Sequence, residues 1–182
     1  MIPLEFRKKI GSVTGYRDSR QEIANEVIEN QGLFLGLLQL CFQVSDKNHS
    51  KACWLLELVC YEKLEWLQPH LDFFCNNINV LTNDSAIRPI AKICQLLVIS
   101  HFKEKNIQLS ENHLELLIET NFDWLINDVK VAPKAYSIRT LFLLGNHFDW
   151  IHPELKTIVS KDFADHSAAY KAVAKEVLKK IK

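Results

Sequence analysis

Trp66-Leu67-Gln68-Pro69-His70-Leu71 returns 84 positions later as Trp150-Ile151-His152-Pro153-Glu154-Leu155. In both places an apolar helical stripe ends at a tryptophan corner and a proline stands just before the next stripe. A weaker echo, Asn112-His113-Leu114, lies midway, so that Leu71, Leu114 and Leu155 align at intervals of 43 and 41 residues. The preceding stripes keep step: Ala52 lies 19 residues before Leu71, and Ala135 lies 20 before Leu155. The middle copy carries the extra polar loop Lys103–Ser110. A recurring unit of this length holds two helices, neither of which can bury its apolar face without a neighbour.

Working outward, helical spacing recurs almost everywhere. Ser19-Arg20-Gln21-Glu22 has the form of a capping box ahead of Ile23, Val27 and Ile28. Residues 32–42 are apolar nearly all round, which requires burial on most sides, and Gly32 and Gly36 would admit a close neighbour. Ser50 is expected to cap a helix carrying Ala52, Leu55, Leu56, Val59 and Cys60, and Ser110 one carrying Leu114, Leu117 and Ile118. Apart from Pro3, each proline (Pro69, Pro89, Pro133, Pro153) is expected in a first helical turn, where its missing N–H costs nothing. No segment alternates as a strand with turn dipeptides between. The expectation is an all-α chain over 1–182 as one domain, with 1–18 an N-terminal extension and 166–182 a basic, amphipathic capping helix.

The two-helix period near 42 residues resembles the HEAT and armadillo class of helical repeats. Family features appear in part, as Pro89, Pro133 and Arg139. The resemblance implies a right-handed α-α superhelix over about residues 20–182, with an irregular helical bundle as the alternative. It also reaches the HEAT-like DNA glycosylases that act on alkylated bases through tryptophans and an acid on a concave basic surface. Trp124 and Asp128, four apart and therefore on one helical face, with Arg139 following, are the residues similar to that arrangement.

Charge distribution opposes that second reading. The formal net charge is zero, but residues 1–20 carry +3 and 171–182 carry +4, leaving −7 on residues 21–170. Electrostatic grip on nucleic acid needs a broad basic face, so nucleic acid is not the expected partner. Five cysteines, with no CxxC among them, sit where a reduced thiol acts as a small hydrophobe, and the reducing cytosol is the expected compartment. The first residues lack a signal-peptide core, and no apolar run approaches a membrane span.

Chemistry-bearing motifs are sparse. There is no GxSxG elbow and no glycine-rich phosphate loop. His147, Asp149 and His152 crowd one corner but match no ligand pattern, so neither metal nor cofactor is expected. The acid-tryptophan pairs Glu65-Trp66, Asp123-Trp124 and Asp149-Trp150 remain. Large aromatics mostly serve cores, and each indole could plug a seam between units. As a surface, they form the best available binding set: Trp66, Trp124 and Trp150, with Asp128 and Arg139 joining them on the DNA reading. The sequence thus favours a non-enzymatic scaffold for a protein partner. A HEAT-like glycosylase or other nucleic-acid module is the alternative, and self-association of an exposed apolar face a third course.

Overall fold

A computed structural model describes residues 2–127, 130–161 and 166–181. The described residues form ten α-helices and no strand, in two compact units covering 1–93 and 94–182.

The first unit is organised around α4 (His49–Glu62), which packs against α1 (Leu4–Ser12), α2 (Arg17–Glu29) and α3 (Phe34–Cys41). Ala52, Cys53, Leu55, Leu56, Val59 and Cys60 of α4 are all buried, so this helix is enclosed on more than the single stripe that a surface helix shows. The segment expected as an extension folds as α1 and sends Phe6 and Ile10 into the core, with Arg7 paired to Asp46. Gly36 is where close approach is needed: a Cβ there would lie 2.8 Å from Ile2 Cγ1 and 3.2 Å from Ile2 N. The neighbour it admits is therefore the N-terminal segment.

Two caps differ from their sequence reading. α2 begins at Arg17, ahead of Ser19, whose hydroxyl instead accepts the Thr14 N–H at 3.2 Å. α4 begins at His49 behind Asn48, and the Ser50 hydroxyl lies 3.2 Å from His49 Nε2. Both serines compete locally for partners other than the expected helix donors.

Two prolines also shift. Pro69 lies in a 3₁₀ segment, Leu64–His70, one step ahead of α5 (Leu71–Asn77). Pro89 is the sixth residue of α6 (Asp84–Ile99), past the first turn. There its missing N–H leaves the Ser85 carbonyl without its helical donor. The Trp54 indole supplies one, donating from Nε1 to Ser85 O at 2.8 Å.

In the second unit α8 (Val131–Leu144) packs against α7 (Glu111–Ile126), α9 (Ile151–Lys161) and α10 (Ala168–Leu178). Ile138, Leu141 and Leu144 of α8 are buried, as are Leu155 and Val159 of α9 and Tyr170, Val173, Ala174 and Val177 of α10. A π-turn, Ser100–Glu104, ends at Lys105 in the left-handed region, φ 59°. The start of α7 is then set by a reciprocal cap: Ser110 Oγ accepts the His113 N–H at 3.2 Å, and His113 Nδ1 accepts the Ser110 N–H at 3.1 Å. Histidine takes the place usually held by Glu or Gln.

The corner between α8 and α9 turns on Gly145. A Cβ at that position would fall 2.5 Å from His152 Nε2 and 2.9 Å from Cγ. Without it, the imidazole reaches back across the corner, donating Nε2–H to the Phe142 carbonyl at 3.0 Å and stacking on the Phe142 ring. That closed corner fixes the start of α9 and, one residue before it, Trp150.

Candidate interaction surface

The three corner tryptophans have three different fates. Trp66 is half-buried and meets the Phe34 ring edge-on, centroids 5.6 Å apart at 81°. Trp124 is 4% exposed and belongs to the core of the second unit, so it offers no surface. Trp150 is 55% exposed and stacks on Phe122 with centroids 5.8 Å apart at 21°. Of the DNA-type residues, Arg139 lies 3.5 Å from Glu176, which also binds Lys180 at 3.0 Å, and Asp128 lies outside the described residues.

Helix geometry explains why Trp150 has an aromatic partner at the surface. Residues four apart in an α-helix form a ridge that turns about 40° per step, because four residues exceed one turn. Leu114, Ile118, Phe122 and Ile126 lie on one such ridge of α7. Leu114 and Ile118 are buried, Phe122 is intermediate, and Ile126 is 59% exposed. The ridge thus winds out of the core while its residues stay apolar. At the point where it emerges, the Trp150 ring lies on Phe122. Burial does not require an isoleucine at 126, and with the Trp150–Phe122 stack it adds to a small apolar step at the surface.

The flanking ridge is acidic. Glu111, Glu115, Glu119 and Asp123 also stand four apart, all are exposed, and none makes an ion pair among the described residues. Sequence reasoning passed over this row and over Ile126. The signal was present in the four-residue recurrence of acids behind the expected Ser110 cap.

Four cationic side chains of the helices are paired, stacked or buried. In the first unit Arg88 binds Glu57 at 2.8 Å, and Lys92 lies 5.9 Å over the Tyr61 ring. In the second, Lys134 is buried and Arg139 is tied to Glu176.

The histidine corner has structural tasks of its own. His147 stacks on Phe102, centroids 3.6 Å apart, while His101 Nδ1 accepts the Leu109 N–H at 3.1 Å and so holds the loop after the π-turn. Burial and the nearby charge of His101 hold the His147 pKa below its ordinary value. Among the described residues, no three His, Cys, Asp or Glu side chains converge as metal ligands.

All five cysteines are free and buried. Burial pushes the Cys75 thiol up to about 12 and Cys60 higher still. Cys53 runs the other way: burial favours its thiol form, but the Cys41 thiol and the His49 ring together outweigh that and lower its pKa. Cys53 in turn raises His49 against the ring's own burial. The His49 Nδ1 is buried without a hydrogen bond of ordinary geometry. This cluster lies wholly inside the first unit, whereas the exposed end of α7 faces solvent.

No protein-family model, curated protein or solved structure matches this chain. Among the described residues, no helix is long and apolar enough to cross a membrane.

Proposed function

We propose that the chain is a non-catalytic helical-repeat protein of HEAT or armadillo type, its helix pairs stacked as in a right-handed α-α superhelix, acting as a scaffold for a protein partner. The observation that carries the reading is the exposed aromatic step formed by Trp150 on Phe122, with Ile126 beyond it on the same ridge. Exposed tryptophan over an apolar base is the kind of group that concentrates binding energy at protein interfaces. The repeat is supported by the burial of all three aligned leucines, Leu71, Leu114 and Leu155, each near the start of its helix. Five free thiols suit the cytosol as the place of work.

The test is selection of peptides from a displayed random library on the folded chain, followed by rebinding to Trp150→Ala. The expected result is a set of peptides that hold the parent and lose at least about tenfold on the variant, the size of a modest interface hot spot. Peptides that bind both equally, with the variant's helical circular dichroism intact, would remove Trp150 from the surface and the reading with it.

A further inference from the structure

Resting on that reading, we propose that the partner presents a basic amphipathic helix, packed across α7 with its cations on the row Glu111, Glu115, Glu119 and Asp123 and an apolar side chain on the Trp150–Phe122–Ile126 step. The row supplies one carboxylate about every 6 Å over about 18 Å, the rise of four residues per step. A helix with Lys or Arg at every fourth position repeats at the same rise and winds by the same ~40° per step, so the two charge rows coincide where the helices cross at about 50° and meet over the middle carboxylates.

The argument for a cationic occupant is energetic as well as complementary. Like charges four apart on a helix repel, and α7 carries three such pairs in succession. Only the first, Glu111, is compensated, since it lies in the first turn near the positive end of the helix dipole. Glu115, Glu119 and Asp123 have neither that benefit nor an ion pair among the described residues. The row therefore weakens the free chain, and a partner's cations would relieve it. The indole adds a second attraction for the same chemistry, because a lysine or arginine can lie over its exposed face. The acidic row ends at Asp123, one residue from Phe122 on a helix that ends at Ile126. This fixes polarity: charge lies along the helix and the apolar anchor at its C-terminal end.

The experiment uses a synthetic, fluorescein-labelled helical peptide with lysine at every fourth position over four turns and leucine at one end. Its control has the same composition with the lysines clustered. Fluorescence anisotropy in 50 mM NaCl is expected to show the in-register peptide binding at least about fivefold more tightly than the control, with both weakened by 500 mM NaCl as screening shortens to a few ångströms. The triple variant Glu115→Gln, Glu119→Gln, Asp123→Asn should bind roughly eightfold more weakly, a factor of about two for each exposed pair. Its melting temperature should be no lower than the parent's, because repulsion is removed. That pairing of weaker binding with undiminished stability is the signature sought.

An in-register peptide that fails to bind, or a triple variant within twofold of the parent, overturns the proposal. So does a parent chain that sediments as a dimer in 50 mM NaCl and is dissociated by Trp150→Ala, which assigns the face to a second copy. The two readings fail separately: library peptides that depend on Trp150 yet ignore the triple substitution keep a protein-binding surface and remove the basic helix.

Discussion

Gly145→Ala would place a methyl group 2.5 Å from His152 Nε2 and 2.9 Å from Cγ, where ordinary contacts begin at 3.4 Å. The imidazole must swing away, giving up its hydrogen bond to Phe142 O at 3.0 Å and its stack on the Phe142 ring. The bond contributes about 1 kcal/mol net, and the stack about 0.5–1.5 kcal/mol. The Phe142 carbonyl keeps a donor, Asn146 Nδ2 at 3.2 Å, so no orphaned acceptor adds to the cost. Against this, Gly145 has φ −64° and ψ −12°, which alanine adopts freely. Restricting the unfolded chain then returns about 0.4–1 kcal/mol. The expected net loss is about 0.5–2 kcal/mol.

With a urea m-value of about 2 kcal/mol/M for a chain of this size, the unfolding midpoint should fall by roughly 0.25–1 M. The discriminating step repeats the substitution in a His152→Ala background, where the clash, bond and stack are already gone. There Gly145→Ala should be neutral or slightly stabilising, a coupling that a double-mutant cycle isolates. An equal loss in both backgrounds would refute the account of the corner.

Three shorter predictions follow from other sites. Proton NMR titration should find His49 losing its proton above the ordinary imidazole range and His147 below it. Stability from His49 is then full below about pH 6.5 and lost as pH rises through its folded value, whereas stability from His147 is present above about pH 6.5 and lost as pH falls through its own. Replacing Trp54 with Phe removes the donor to Ser85 O; Pro89→Ala, by restoring a helical N–H, should gain about 0.5–1 kcal/mol more in that background than in the parent, measured by urea unfolding. Arg88→Met strands the Glu57 carboxylate, whose side chain is 9% exposed, and should cost about 2–4 kcal/mol. The double variant with Glu57→Gln should recover most of it, and thermal unfolding of the pair decides.

Much of the helical order was legible because apolar spacing survives local detail. Leu71, Leu114 and Leu155 are all buried, and Ser110 caps the helix expected of it. The misreadings cluster where one local rule competed with a tertiary partner. Pro89 is tolerated past the first turn because an indole from another helix takes the carbonyl it strands. Ser19 and Ser50 look like caps in isolation, yet their hydroxyls serve Thr14 and the His49 ring. Nothing in residues 100–104 announces a π-turn, since its departure from α geometry is slight for each residue. The aromatic surface was half legible. Acid-tryptophan pairs marked three corners, but exposure depends on which ridge each ring rides, so Trp124 is buried and Trp150 is exposed.

The outward winding of α7 also bears on how such a chain can change over generations. Leu114 and Ile118 are tied to folding, so most replacements there would be purged. Phe122 and Ile126, one and two steps further along the same ridge, touch progressively less of the interior and are freer to drift. A lineage could therefore exchange the exposed end of this helix while inheriting its root unchanged.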